Sequence, residues 1–202
     1  MKKYTLNEIF VSEQGEGFWT GTPAIFIRFA GCNLKCSWCD TNYFASCKIT
    51  LDEVIRLVRK WKDEYPNVKT IILTGGEPML QVDETMLQWF KLMKFRVHIE
   101  TNGTIEISSG LVMSLDWITV SPKIVEYPGS WKQFNGDELK VVYEGQDLRI
   151  YEEHLEGFIY KYLQPKSMSN TEETKKAIAF ANRTLGQSWS LSLQTQKIKG
   201  FK

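Results

Sequence analysis

Gly31-Cys32-Asn33-Leu34-Lys35-Cys36-Ser37-Trp38-Cys39-Asp40-Thr41 is the stretch on which the reading of the whole chain turns. Cys32, Cys36 and Cys39 stand in a C-x3-C-x2-C spacing. So short a span cannot be helix or strand and still converge three thiolates, so a loop wrapped round a ligand is expected. Three thiolates can hold three irons of a four-iron, four-sulfur cluster and leave the fourth iron open to a small molecule. Zinc is the rival metal, because three Cys and a fourth ligand also suit it. Structural zinc sites usually take C-x2-C pairs, however, and no second pair is present. Gly31 permits the turn into the loop. Leu34 and Trp38 are placed to shield a cluster from water, and burial is one lever on its potential. Cys47 stands outside the loop and reads as a small core residue.

Working outward, Leu6 to Ser12 is extended and leads to a turn rich in glycine at Gly15, Gly17 and Gly21. Ala24 to Phe29 is a buried strand that delivers the chain to the cysteine loop. Arg28 lies near its end, and a guanidinium fits a carboxylate bidentately. Beyond the loop, Thr50 with Glu53 forms a capping box, and Val54, Leu57, Val58 and Trp61 make one apolar helix face closed by Pro66. Thr70 to Leu73 is a strand ending at Thr74-Gly75-Gly76-Glu77-Pro78, where two glycines would let backbone approach a ligand closely. Asp83 caps a helix with Met86, Leu87, Phe90 and Met93 inward.

The alternation continues with strands at Arg96 to Glu100, Trp117 to Val120, Leu139 to Tyr143 and Phe158 to Leu163. Helices are expected near Gln146 to Leu155 and from Asn170 to about Arg183, then a last strand at Ser188 to Gln194 and a short polar tail. Strand-helix alternation implies a mainly parallel sheet with right-handed crossovers. The motifs gather where strands end, which is where such sheets place their sites. Glu100 and Asn102, at one such end, are divided between supporting a site and a structural role. His98 reads as a satisfied histidine within its strand, and His154 as solvated on a polar helix.

The 202 residues suit one domain, residues 1–202. A chain of this size buries about 70% of its unfolded surface. A complete eightfold barrel takes about 250 residues, so a full one would be tight. The net charge of +1, with Lys and Arg scattered, leaves no electrostatic footprint for nucleic acid. The N-terminal stretch lacks an apolar signal core and no run is long enough for a membrane span, so the cytoplasm is expected and no membrane partner. Three cysteines packed so closely suit a reducing compartment better than a disulfide framework.

The cysteine spacing resembles the signature of the radical S-adenosylmethionine superfamily, and an ordered set of motifs narrows the likeness. Ser12-Glu13-Gln14-Gly15-Glu16-Gly17, Arg28-Phe29-Ala30-Gly31-Cys32-Asn33-Leu34, Cys39-Asp40-Thr41, Thr74-Gly75-Gly76-Glu77-Pro78, Glu100-Thr101-Asn102-Gly103 and Ser121-Pro122-Lys123 follow one another. Together, from about Leu6 to Lys197, they are similar to the 7-carboxy-7-deazaguanine synthase family of queuosine and 7-deazapurine biosynthesis.

That resemblance implies an α/β fold, an incomplete TIM-like barrel of the radical S-adenosylmethionine type with mainly parallel strands. It implies a lyase that converts 6-carboxy-5,6,7,8-tetrahydropterin to 7-carboxy-7-deazaguanine with loss of ammonia, started by a 5′-deoxyadenosyl radical. It assigns the [4Fe–4S] ligands to Cys32, Cys36 and Cys39, and magnesium to the hydroxyl of Thr41. Glu13, Gln14, Gly15, Arg28 and Thr74 are implied to bind the pterin. Gly76, Ser121, Pro122, Lys123, Gln164, Pro165, Lys166 and Ser167 are implied to bind S-adenosylmethionine. No side chain is assigned as a catalytic acid or base. A homodimer and an electron donor such as flavodoxin or ferredoxin are implied partners. The family's C-terminal Gln-Thr-His-Lys is here Gln194-Thr195-Gln196-Lys197, so substrate contacts from this tail are not carried over. The alternatives are an activase that installs a glycyl radical on a partner enzyme, and a non-catalytic metal-binding module.

Overall fold

The computed structural model describes residues 2–42, 44 and 47–200. Two compact units alternate along the sequence. Met1–Gln14, Thr22–Thr101 and Ile107–Ile118 make the first; Gly15–Gly21, Asn102–Glu106 and Thr119–Lys202 make the second.

In the first unit, β1 (Lys3–Glu13), β2 (Pro23–Phe29), β3 (Cys47–Thr50), β4 (Thr70–Gly75) and β5 (Arg96–Thr101) lie in the order β3-β1-β2-β4-β5. β1 runs antiparallel to both β2 and β3, whereas β2, β4 and β5 are parallel. Helix α1 (Leu51–Glu64) carries the expected reciprocal cap between Thr50 and Glu53. Its buried face is Val54, Ile55 and Val58, with Leu57 exposed. The seam is therefore rotated from the expected Val54-Leu57-Val58-Trp61 stripe, because residues 54, 55 and 58 also lie within one stripe of a 3.6-residue helix. Helix α2 (Glu84–Leu92) is capped by Asp83, whose Oδ1 accepts from the Met86 N–H at 2.9 Å. Met86, Leu87, Phe90 and Met93 are buried as their spacing requires. A short helix α3 (Ser109–Val112) had no sequence signal.

Cys47 is not a core residue. It begins β3 at the sheet edge, opposite Leu6 of β1, and its side chain is exposed.

In the second unit, the end of β6 (Trp117–Val120) pairs with β7 (Gly136–Tyr143), β7 with β8 (Phe158–Pro165), and β8 with β9 (Trp189–Leu191), all parallel. Helix α4 (Thr171–Thr184) lies near the expected bounds. The expected helix from Gln146 is instead a 3-10 stretch over Leu148–Gly157. Gln146 is occupied outside it: its amide donates to the Val142 carbonyl and Tyr151 hydroxyl and accepts from the Glu144 N–H. His154 is half-buried, stacked on Phe134 at 4.1 Å, so it is not the solvated residue expected. The last strand is shorter than expected, Trp189–Leu191, with one further bond from Ser192 N–H to Leu163 O at 3.0 Å. The tail forms helix α5 (Thr195–Lys199).

Candidate active site

The alternation of side chains along a strand builds two layers on one face of the first unit. Phe10 of β1 and Phe26 of β2 are register partners, stacked at 5.1 Å, and cluster with Ala24 and Ile72 of β4. Two residues further along the parallel strands, the same face becomes polar. Glu8 pairs with Arg28 and Arg28 with Thr74 in the ladder, and the Thr74 hydroxyl donates to Glu100 Oε2 at 3.2 Å. The Gln14 amide donates to Glu100 Oε1 at 2.7 Å. A floor of aromatic and aliphatic groups thus carries a row of carboxylate, guanidinium, hydroxyl and carboxylate across four strands.

Arg28 donates through Nε to Glu8 at 3.1 Å, and its guanidinium lies over the Phe10 ring at 5.5 Å. Engagement through Nε leaves the two terminal amino groups for a planar anion, the geometry in which a guanidinium binds a carboxylate. Of the expected pterin residues, Gln14, Arg28 and Thr74 share this row, while Glu13 ends β1. Glu8 was missed, since only register sets it beside Arg28. Glu100, left undecided by its sequence position, joins Gln14 to Thr74.

The cysteine loop leaves β2 through Gly31, whose φ of 85° is left-handed. Its entry is sewn to β4: Gly76 N–H donates to Phe29 O at 3.0 Å and Glu77 N–H to Gly31 O at 2.9 Å. A Cβ on Gly76 would meet Gly31 O at 1.9 Å, and one on Gly75 would meet Phe29 O at 2.3 Å. The chain's own backbone thus demands glycine at both positions. Gln81 adds a second stitch, its amide donating to Ala30 O and Thr5 O and accepting from Thr5 N–H. Glu77 is fully buried and accepts from Met79 N–H and the Thr101 hydroxyl.

All four cysteines are free thiols. Cys32, Cys36 and Cys39 lie on an irregular segment, and among the described residues no three Cys, His, Asp or Glu side chains converge as a metal cage. The donor chemistry fits an iron–sulfur cluster: three thiols, no disulfide to break, and no ladder holding the segment. The Leu34 N–H already donates to Cys32 Sγ at 3.4 Å, a contact of the kind that tunes cluster potentials. Leu34 is buried behind it. Thr41 is half-buried two residues past Cys39, whose thiol meets its carbonyl at 3.6 Å.

His98, on the floor layer opposite Ile72, is buried. Burial first, then the Arg96 cation, lower its pKa to about 4 against a smaller opposing pull from Asp116. It is a neutral core histidine.

In the second unit, Ser121-Pro122-Lys123 follows β6, and the Lys123 ammonium donates to the Ser121 hydroxyl at 2.6 Å. Gln164 and Pro165 end β8 and are buried; Gln164 Oε1 accepts from Ser192. Lys166 pairs with Glu144 at 3.0 Å, and Ser167 bonds Asn170 at 2.7 Å. Gly15 is held at the start of α5, where Thr195 N–H donates to its carbonyl at 2.9 Å. Sequence reading missed α5 as a partner of this turn, because nothing local in a polar tail announces it.

Parallel strands, a triple-cysteine loop after the second strand and a double-glycine turn after the fourth define a radical S-adenosylmethionine protein. The Radical SAM superfamily model accordingly matches residues 26–126. A 7-carboxy-7-deazaguanine synthase of Bacteroides thetaiotaomicron is 47% identical over 197 residues, covering 96% of each chain. The enzyme of that name from Bordetella pertussis is 34% identical over 225 residues, covering 98% of this chain and 99% of its own. The chain belongs to the 7-carboxy-7-deazaguanine synthase family. The crystal structure of QueE from Escherichia coli matches with a TM-score of 0.70 at 24% identity, covering 95% of this chain and 94% of that one. That likeness carries the fold, an incomplete α/β barrel.

Proposed function

We propose that this chain converts 6-carboxy-5,6,7,8-tetrahydropterin, with loss of ammonia, to 7-carboxy-7-deazaguanine, the product for which its relatives are named. The observation that carries the reading is the polar row on the first unit, where Arg28 offers its terminal amino groups beside Thr74, Glu100 and Gln14. A pterin edge has both donors and acceptors, which amide, hydroxyl and carboxylate groups meet. In this reading Glu13, Gln14, Gly15, Arg28 and Thr74 bind the substrate. Cys32, Cys36 and Cys39 hold the cluster. Gly76, Ser121 to Lys123 and Gln164 to Ser167 bind S-adenosylmethionine, which when bound supplies the 5′-deoxyadenosyl radical. The protein's share is binding, orientation and exclusion of side reactions.

Thr41 would give magnesium one hydroxyl ligand, and magnesium commonly keeps waters and substrate oxygens for the rest. Residues 1–202 would act as one domain, a reading supported by the repeated alternation of the two units along the sequence. A low-potential donor such as flavodoxin or ferredoxin would reduce the cluster, and the enzyme would work in the cytoplasm as a homodimer. Among the described residues no helix is long and apolar enough to cross a membrane. Neither a glycyl-radical activase nor a non-catalytic metal module is favoured by relatives that match across nearly the whole chain.

Anaerobic reconstitution tests the reading directly. Iron and sulfide should bind, and 5′-deoxyadenosine should form with turnover of the carboxylated pterin. Cluster assembly with no deazaguanine product would refute it.

A further inference from the structure

The glycine turn that follows Gln14 is tied to the rest of the second unit by several directed bonds, and one buried carboxylate lies at their centre. Glu16 Oε2 accepts from the Lys140 ammonium of β7 at 2.7 Å. Its Oε1 accepts from the side-chain amides of Gln194 at 2.9 Å and Gln196 at 3.2 Å. Both charged side chains are largely shielded, 16% and 7% exposed for Glu16 and Lys140. Burial would raise the Glu16 pKa, but the Lys140 charge, its hydrogen bond and the two amides outweigh that and lower it to about 2.

The residues on either side are fixed as well. Gly15 O accepts from Thr195 N–H and from the Thr195 hydroxyl at 3.0 Å. Gly17 N–H donates to Ser192 Oγ at 3.0 Å, and Phe18 N–H to Glu138 Oε2 at 3.0 Å. α5 packs so closely that a Cβ on Gly15 would lie 1.8 Å from Gln196 Oε1 and 2.9 Å from the Gln196 nitrogen.

We propose that Lys140, acting through Glu16 together with the Gln194–Gln196 segment, is a positioning residue that sets the place of Gly15 and so governs how tightly the pterin is held. This rests on the reading that Gly15 belongs to the pterin-binding turn. A buried ion pair can often be replaced by apolar groups with no loss of stability, so fold stability alone does not explain it. A fixed backbone position does, because a binding group already held in its bound place spares the ligand the cost of ordering it. Glu16 is the residue next to Gly15, so any shift of its carboxylate is passed along one peptide unit.

The test uses anaerobically reconstituted holoenzyme with S-adenosylmethionine, read by equilibrium titration with 6-carboxytetrahydropterin and by steady-state kinetics. Lys140→Met should raise the pterin Kd and KM about tenfold or more, leave the S-adenosylmethionine Kd unchanged, and leave kcat at saturation within about twofold. Lys140→Met combined with Glu16→Gln should recover most of the affinity, because the Gln carbonyl still accepts from Gln194 and Gln196 and no charge is stranded. A folded Lys140→Met protein with wild-type pterin affinity overturns the proposal, as does a kcat loss with unchanged Kd. If Lys140→Met does not fold, Thr195→Val decides: it removes one bond to Gly15 O and keeps the backbone one. A weaker pterin Kd with unchanged S-adenosylmethionine binding supports the proposal, and an unchanged pterin Kd overturns it. Wild type that fails to bind the pterin at all overturns the functional reading first, and this inference with it.

Discussion

Arg28 offers the sharpest test of the proposed substrate. In the structure its side chain is 22% exposed, bonded through Nε to Glu8 and set over Phe10. Both are modest in stability terms: a partly exposed ion pair is worth about 0–1 kcal/mol, and a cation–π contact about 0.5–1 kcal/mol. Arg28→Ala should therefore fold, with a stability loss of about 0.5–2 kcal/mol. Binding should suffer more. A hydrogen bond to a charged group is worth about 1.5–3 kcal/mol, and the terminal amino groups can make two to one carboxylate. Even one lost bond gives tenfold weaker binding at about 1.4 kcal/mol per decade. Arg28→Lys keeps the charge and can still meet Glu8, but lacks the fork, so it should recover only part of the affinity. The assay is anaerobic titration of the holoenzyme with 6-carboxytetrahydropterin and with its decarboxylated analogue. Wild type should prefer the carboxylated ligand, and Arg28→Ala should lose that preference while binding S-adenosylmethionine normally. If the variant discriminates as well as wild type, Arg28 serves only Glu8 and Phe10, and the carboxylate argument for the pterin fails.

Cys47→Ala should reconstitute with full iron and sulfide, since Cys47 sits exposed on the edge strand β3. Cys36→Ala should not, and the reverse pattern in metal analysis would overturn the ligand assignment. Gly76→Ala should disturb the cysteine loop itself, because the added carbon would meet Gly31 O at 1.9 Å. Lower iron content should accompany weaker S-adenosylmethionine binding, and full iron would show that the contact is not needed. His98 should make stability depend on pH. Its folded pKa of about 4 lies below the ordinary 6.5, so the unfolded chain takes up the proton more readily. Its contribution is complete above about pH 6.5 and is lost as the pH falls toward 4, by roughly 3 kcal/mol in all. Denaturant unfolding of His98→Leu should lack that component; a pH slope equal to that of wild type would contradict the assignment.

What could be read in the one-dimensional chain was whatever depends on near neighbours. Cys32, Cys36 and Cys39 declare their chemistry by spacing. Thr50 with Glu53, and Asp83, announce helix starts because a cap acts within one turn. Buried strands such as Ile71 to Leu73 show as apolar runs. Tertiary structure decided everything that depends on register and on distant segments meeting. Glu8 stands beside Arg28 only because β1 pairs with β2 in that register, and a slip of one residue would turn it to the other face. Gly75 and Gly76 read in sequence as backbone open to close approach; that Phe29 O and Gly31 O on the neighbouring strand's exit make that approach is a tertiary fact. The Gln194–Gln196 segment carries no local sign that it reaches Glu16, some 180 residues away in sequence. Local rules act over about four residues along a helix or two along a strand; sheet register and the docking of a tail are settled by long-range burial and pairing, which a single sequence does not display.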